Sequence, residues 1–339
     1  MRPSRLCIDG RVASELACPG LVAQEAIDQL GLAWSASETD AESKINQTYL
    51  LAHPAQAFSG RWHRIDSGLK LRRTPMHWAW EKKLLGDSAM ESCHRFRPVD
   101  RMTPVPSCPT LTTILPPIHG LPFYISRREA QHFVVPSTQD AHLLEKSYHV
   151  PKDQITLLRP TIRRGVLGAE RSRSASAGRV MFLLGGSRDL PNLKRWMKLI
   201  SRLVPNYPKV VVPIDTPSLF RRKLSGKEEL SGLKWMKRLE DVHLLFYLSA
   251  PSFDWPTLAL EALYRGIPTI FADRNASLSE LLPGSRLKLT RFLVETPTLA
   301  ELTTATNAAR ERLGSQGVWD ADAPSREYQA LYAKLQRSN

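Results

Sequence analysis

Four short apolar runs in the second half of the chain, each bounded by Gly, Pro, Ser or Asp, predict buried strands. They are residues 180–184 (VMFLL), 210–214 (VVVPI), 243–248 (HLLFYL) and 268–272 (PTIFA). Their apolar positions do not alternate with polar ones, which is typical of strands covered on both faces. Because helical patterns lie between them, most clearly over 189–204, the order predicts a parallel sheet with helical crossovers, a Rossmann-like domain.

Cap signals indicate where three helices begin. Ser137 follows the apolar stretch 131–136 and predicts a strand that leads into a helix capped by the serine side chain. The patterns Ser277-x-x-Glu280 and Thr298-x-x-Glu301 predict two capping boxes, in which the first side chain and the acid three residues later each satisfy a backbone amide.

The first half shows the same alternation less clearly, with an opening strand at 5–10 and a helix at 21–30. No strands can be assigned between 61 and 122, and the apolar pattern lapses over 165–178. We therefore expect four parts. They are a shortened Rossmann-like domain over 1–164, a linker over 165–178, a second Rossmann-like domain over 179–325, and a helix over 326–339 that can cross back to the first domain.

Length and composition indicate a folded protein. The 339 residues suit two domains of roughly 150 residues, and 42% hydrophobic with 24% charged residues is typical of globular chains. No apolar run approaches the ~18 residues of a membrane span, and residues 1–10 lack a secretory signal core, so we expect a cytoplasmic protein. Four scattered cysteines, with only Cys93 beside His94 as a metal cue, predict neither disulfides nor a metal site.

Positive charge is concentrated in one stretch. The chain has 47 Lys and Arg against 33 Asp and Glu, a net charge of +14, and residues 171–238 hold sixteen basic and four acidic residues, or +12. Such a surplus can bind a phosphorylated small molecule, an anionic membrane surface or nucleic acid, or can be a solvated face without a ligand. No nucleic-acid-binding motif accompanies it, so nucleic acid is the least favoured partner.

Two segments have features of a phosphate-binding site. In residues 184–193 (LGGSRDLPNL), Gly185 and Gly186 end a strand just before a helix start, where free amides and the helix dipole attract a phosphate. In residues 249–270 (SAPSFDWPTLALEALYRGIPTI), a helix begins at Pro256-Thr257 and carries Glu261. A tight turn in the first segment and a packing helix in the second are the plainer alternatives.

Together these segments resemble the nucleotide-sugar half of GT-B-fold glycosyltransferases, particularly the family 4-like group (glycosyl transferases group 1). The Gly turn with its Pro-Asn helix start over 185–192, and the Pro-Ser, Trp-Pro-Thr, Leu-Glu-Ala and Gly-Ile-Pro elements over 251–268, are similar to that group. The Ile-Asp-Gly-Arg opening at 8–11 and the segment 134–158 add support. The resemblance covers about residues 130–285.

The resemblance implies an α/β fold of two Rossmann-like domains facing across a cleft, with the acceptor on the first domain and a nucleotide-diphosphate sugar on the second. It implies a retaining hexosyltransferase type of polysaccharide biosynthesis, with the nucleotide sugar as co-substrate and no metal or other cofactor. A glycan or lipid-linked acceptor follows by the same analogy, and the basic face could hold the enzyme peripherally at the inner face of the membrane.

The resemblance also implies roles for individual residues, mapped position by position. For the donor these are Gly185, Gly186, Ser187 and Arg188 around the phosphates, Lys194 as a further cation, the Thr257 and Leu258 amides on the diphosphate, and Glu261 on the ribose. His119 and Asp254 would be the catalytic residues that steer the sugar hydroxyls, with packing for His119 and capping for Asp254 as alternatives.

The sequence departs from the family pattern at several places, and the family's Arg and Lys at the donor phosphates fall near Leu190 and Pro191, with Arg188 or Lys194 as possible substitutes. The first member of the family's carboxylate pair, eight positions before Glu261, falls on Phe253, and the family's Thr-x-His-Asp maps to Thr113-Ile114-Leu115-Pro116. A catalytically impaired GT-B-like scaffold or partner subunit is therefore the first alternative, and a basic nucleic-acid-binding protein is the second.

Overall fold

The computed structural model describes residues 5–9, 47–52, 63–66, 92–96, 109–114, 132–162, 179–184, 196, 198, 200–202, 209–213, 239, 242–248 and 253–337. These residues divide into two compact units. The first comprises the described residues up to Arg159 and those from Asp322 onward, and the second those from Pro160 to Ala321. The expected linker over 165–178 and the expected helix over 21–30 lie outside the described residues.

The first unit contains a seven-stranded parallel sheet. Its order, β3-β2-β1-β4-β5-β6-β7, runs outward in opposite directions from β1 and β4, which is the doubly wound arrangement of Rossmann-like domains. The sequence pattern had left the region of β3 and β4 unassigned. The strands are β1 (Arg5–Asp9), β2 (Gln47–Ala52), β3 (His63–Asp66), β4 (Ser92–Phe96), β5 (Thr110–Thr113), β6 (His132–Val135) and β7 (Ile155–Leu157).

The second unit contains a four-stranded parallel sheet, as the apolar runs predicted. Its order is β11-β10-β8-β9, so the strand order reverses between β8 and β10. The strands are β8 (Arg179–Leu184), β9 (Lys209–Pro213), β10 (Val242–Tyr247) and β11 (Thr269–Phe271). The α/β fold class with Rossmann-like units is confirmed.

Two of the described helices connect strands, one between β6 and β7 and one between β10 and β11, and the others follow β11. The helices are α1 (Thr138–Ser147), α2 (Thr257–Tyr264), α3 (Ala276–Leu281), α4 (Leu289–Glu295), α5 (Leu299–Ser315) and α6 (Ala323–Arg337), with a 3-10 turn at Lys152–Gln154. Of the helix predicted over 189–204, the described residues 196, 198 and 200–202 are helical. No helix within the described part of the chain is long and apolar enough to cross a membrane.

Two of the three predicted caps are confirmed and one is wrong. Ser137 accepts the Asp140 amide at 3.1 Å, and Thr298 forms a reciprocal capping box with Glu301 at the start of α5. At α3 the cap is Asn275, whose Oδ1 accepts the Leu278 amide at 3.0 Å. Asn275 takes this role because it precedes the helix, which leaves Ser277 inside α3 with its hydroxyl directed to another carbonyl.

A buried polar cluster ties α6 to the first sheet. One ring nitrogen of His94, on β4, is hydrogen-bonded to the Tyr332 hydroxyl. The other ring nitrogen lies 2.9 Å from Thr113 Oγ1. Thr113 Oγ1 also lies 2.8 Å from the Tyr328 hydroxyl, and the His94 ring stacks on Phe96 with centroids 4.1 Å apart. All five side chains are buried. Each polar side chain of the cluster needs the others as hydrogen-bond partners, because burial removes it from water.

Burial also fixes the protonation of this cluster. It lowers the pKa of His94 to about 3, because a charged imidazolium would have to be desolvated. Burial raises the pKa of both Tyr328 and Tyr332, so the two hydroxyls stay neutral. A neutral His94 supplies one donor and one acceptor nitrogen, which suits two hydroxyl partners.

Acidification should destabilise the protein through His94. A basic group whose pKa is lower in the folded state stabilises the fold above its unfolded pKa, near 6.5, and this contribution is lost as the pH falls toward 3. Between about pH 7.5 and pH 5 the loss should be about 2 kcal/mol. We expect urea unfolding of His94→Gln to lack this part of the pH dependence, whereas the exposed His142→Gln retains it. Equal pH slopes for wild type and His94→Gln would contradict the assignment.

Candidate functional site

The carboxyl edge of the second sheet brings two predicted segments to neighbouring strands. Leu183 of β8 is in register with Tyr247 of β10, so the chain leaves both strands side by side at the point where the strand order reverses. Ligands of open parallel sheets bind outside the carboxyl ends of strands at such a switch point. The first segment, with Gly185, Gly186, Ser187, Arg188 and Lys194, lies outside the described residues, and so does His119.

The start of α2 presents backbone amides at this edge. Pro256 precedes the helix, and its carbonyl accepts the Leu260 amide at 3.0 Å. The Thr257 amide donates to the Trp255 carbonyl at 2.7 Å, so a donor role for Thr257 requires this bond to be exchanged. The Leu258 and Ala259 amides have no acceptor among the described residues. These two amides and the helix dipole favour an anion at this end of α2.

Glu261 lies one turn into α2 and is paired within the helix. Its Oε1 is 3.1 Å from Nη2 of Arg265, and the two side chains are only 2% and 9% exposed. The helix stops one residue later at Gly266, which has φ +70°, as its position before a strand had predicted. The ion pair holds the Glu261 carboxylate against Arg265 inside the unit and restricts its rotation.

Asp254 is a buried hydrogen-bond acceptor after β10. Its carboxylate accepts the Tyr247 hydroxyl at 2.9 Å and the Asn275 side-chain amide at 2.5 Å. Its backbone carbonyl accepts the Ser277 hydroxyl at 2.7 Å. The Asp254 carboxylate is therefore engaged by protein groups, and its catalytic role stays a prediction.

Phe253 occupies the position of the missing carboxylate with an unusual backbone. Its φ is 61°, in the left-handed region that bulky side chains rarely adopt, and its side chain is 1% exposed. Backbone outliers of this kind persist where surrounding structure determines them, and they cluster at functional sites. The aromatic ring is part of the core, so this position supplies no charge to a ligand.

Sequence reasoning did not single out Tyr247, Asn275 and Arg265. The sequence pattern indicates only that Tyr247 belongs to a buried apolar strand and that Asn275 belongs to a loop. Arg265 was detectable in principle, because a residue four positions after Glu261 faces the same side of the helix. In the described part of the chain no cluster of His, Cys, Asp or Glu could hold a metal ion, and the Cys93 side chain is buried.

Comparisons with known proteins agree on the fold. No family model matches the chain, and no curated protein matches it. Solved structures do match: a Rickettsia africae glycosyltransferase is 11% identical with a TM-score of 0.64 and 99% of each chain covered. Anabaena HepE, solved in complex with UDP and glucose, is 8% identical with a TM-score of 0.64, covering 98% of this chain and 99% of HepE.

The lipopolysaccharide outer core galactosyltransferase WaaB, in its apo form, is 11% identical with a TM-score of 0.53, covering 97% of this chain and 99% of WaaB. The Rickettsia africae protein and WaaB are glycosyltransferases by name, and each of the three matches covers at least 97% of this chain. This chain therefore has the fold of GT-B-type glycosyltransferases, with two Rossmann-like units. Membership of the family 4-like group stays a prediction.

Replacing Arg265 should show how much the buried ion pair contributes to the free energy of unfolding. We expect Arg265→Met to lower the free energy of unfolding by about 3 kcal/mol, because it leaves the Glu261 carboxylate buried without this partner. The double variant Glu261→Gln/Arg265→Met should recover at least half of that loss, since it removes both charges. Urea unfolding measures both. Lys146→Met, which breaks an exposed pair with Glu145, is the control and should leave the midpoint unchanged. A double variant no better than Arg265→Met would contradict the pairing.

Proposed function

We propose that this chain is a glycosyltransferase whose donor is a nucleotide-diphosphate sugar bound at the carboxyl edge of the second sheet. The observation that carries the proposal is the arrangement at the β8/β10 switch point. There, the Leu258 and Ala259 amides begin a helix that carries the buried acid Glu261 one turn later. The GT-B-type fold, shared with HepE in its UDP and glucose complex, supports a nucleotide sugar as the ligand.

In the proposed reaction the bond between the sugar's anomeric carbon and the diphosphate breaks, and its electron pair stays on the leaving oxygen. An acceptor hydroxyl oxygen forms the new bond to the anomeric carbon, and its proton passes to the leaving diphosphate. The amides at the start of α2 would stabilise that developing charge, together with Arg188 and the Gly185-Gly186 turn. Glu261 would accept hydrogen bonds from the ribose hydroxyls. These groups supply the positive charge that a leaving diphosphate needs, so the proposal uses no metal or other cofactor. Retention of configuration belongs to the same proposal.

For the acceptor we propose a glycan or a lipid-linked glycan, modified by a cytoplasmic enzyme at the inner face of the membrane. Support comes from the chemistry of the basic stretch 171–238, whose +12 surplus could attract anionic lipid. Among the neighbours, WaaB is a lipopolysaccharide galactosyltransferase. The acceptor, the membrane surface and the location rest on that analogy and on charge.

Donor binding is the direct test of the function. A thermal-shift screen with uridine, guanosine, adenosine and thymidine diphosphate sugars should give one stabilising class. Ligand at about 100 times its Kd adds about 2.7 kcal/mol of stability. Glu261→Gln should weaken binding of that class about tenfold, because a neutral amide replaces the charged carboxylate that accepts from the ribose hydroxyls. Glu311→Gln, an exposed change on α5, is the matched control. Unchanged donor affinity in Glu261→Gln would contradict the assigned role.

A second candidate, a non-catalytic GT-B-like scaffold or partner subunit, is favoured by one observation. The position of the missing acid holds Phe253, which is buried in the core and cannot ionise. A scaffold of this kind would bind none of the four donor classes, and no nucleoside diphosphate would be released in the presence of any acceptor. Binding of one donor class together with its release would favour the enzyme.

Membrane association should depend on salt. We expect the protein to sediment with vesicles of acidic lipid at low ionic strength and to be released as salt shortens the range of the attraction. Vesicles of neutral lipid are the control and should bind little protein. Sedimentation that persists unchanged at high salt would contradict electrostatic attachment.

A further inference from the structure

We infer that Asp254 is a positioning residue, held by Tyr247 and Asn275, that fixes the turn before α2 and so aims the first amides of that helix at the donor diphosphate. The inference rests on the proposed function and specifies how the site is built. It differs from the sequence-based assignment, in which Asp254 touches the sugar.

The three side chains form a compact buried hub. The Tyr247 hydroxyl lies 2.9 Å from Oδ2 and 3.2 Å from Oδ1 of Asp254, and the Asn275 side-chain amide donates to Oδ2 at 2.5 Å. Tyr247 and Asn275 are 0% exposed and Asp254 is 4% exposed. A buried carboxylate is costly unless donors surround it, and here two donors converge on it. The hub therefore fixes the Asp254 side chain inside the unit, away from solvent.

The hub connects the turn before α2, which contains Asp254, with strand β10 and helix α3. Tyr247 is the last residue of β10, and Asn275 caps α3 through its Oδ1, which accepts the Leu278 amide at 3.0 Å. The Ser277 hydroxyl of α3 binds the Asp254 carbonyl at 2.7 Å. Both the backbone and the side chain of Asp254 are thus attached to α3, and the side chain is also attached to β10.

This attachment sets where α2 begins. Phe253 turns the chain with φ 61°, and the Thr257 amide closes the turn on the Trp255 carbonyl at 2.7 Å. Helix α2 starts at Thr257, so the conformation of this turn sets the direction of the Leu258 and Ala259 N–H bonds. Hydrogen bonds to a diphosphate weaken steeply with misalignment, so a loosened turn should weaken donor binding.

A double swap separates positioning from direct contact. In Asp254→Asn, the side-chain oxygen takes the place of Oδ2, which accepts from both donors, and the new amide group takes the place of Oδ1, so the 3.2 Å bond from the Tyr247 hydroxyl to Oδ1 is lost together with the charge. In Asn275→Asp, two carboxylates meet in a buried space. In the double variant Asp254→Asn/Asn275→Asp, the new Asn donates to the new Asp and accepts the Tyr247 hydroxyl. The new Asp still accepts the Leu278 amide, so every hydrogen bond is restored while position 254 has lost its charge.

The measurement is the donor Kd of each variant at a temperature well below its Tm, with Tm recorded separately. The probe is the diphosphate sugar class that stabilises the wild type, and steady-state kcat and KM follow for variants that turn over. We expect each single variant to weaken the Kd about tenfold and the double swap to return within about threefold of wild type. The loss should appear mainly in the donor KM. Asn307→Asp, an exposed change on α5, is the matched control.

Each other outcome overturns the inference. A double swap that stays as weak as Asp254→Asn shows that the charge at position 254 itself acts on the donor, which makes Asp254 a catalytic residue. Single variants with a lower Tm and an unchanged Kd show that the hub supports only the fold. A wild type that binds none of the donors removes the proposed function and this inference together, whereas wild-type binding with unaffected variants removes the inference alone.

Discussion

A polar group that leaves water must find a partner, and this requirement organises both units of the protein. In the first unit, His94 brings Thr113, Tyr328 and Tyr332 together. In the second, Asp254 is surrounded by donors from β10 and α3, and Glu261 is paired with Arg265. The His94 cluster and the Asp254 contacts each join different secondary-structure elements, so these polar contacts help determine which elements meet while apolar packing supplies most of the driving force.

These contacts position the functional groups at the carboxyl edge of the second sheet. Parallel strands end at a common edge, but the edge alone does not specify where a helix amide will point. The positive-φ backbone of Phe253 and the hydrogen bonds of Asp254 set the direction of those amides. The second unit has a defined helix start in this way, because the Phe253 ring fills the core and the neighbouring Asp254 is bound to α3.

How far the sequence predicts the structure depends on the range of each interaction. The strands of the second sheet, Gly266 and the Thr298 cap rest on local patterns, and the structure confirms them. The Ser277 cap failed because Asn275, which fits the same geometry two residues earlier, was available. The His94 cluster joins residues 238 positions apart in the chain, and nothing in its local pattern distinguishes His94 from other strand residues. At the candidate site the sequence indicated Asp254 and Glu261; the partners of Asp254, Tyr247 and Asn275, became visible only in the structure, whereas Arg265 could have been found from its spacing to Glu261.

The first unit is discontinuous, because α6 follows the entire second unit in the chain yet packs on β4 and β5. A ribosome makes α6 after both sheets. The nascent first sheet must therefore wait, with His94 and Thr113 lacking their tyrosine partners, while the second unit is synthesised and folds. The core of the first unit is consequently completed only after the second unit has been synthesised, in contrast to the usual order in which domains fold as they emerge.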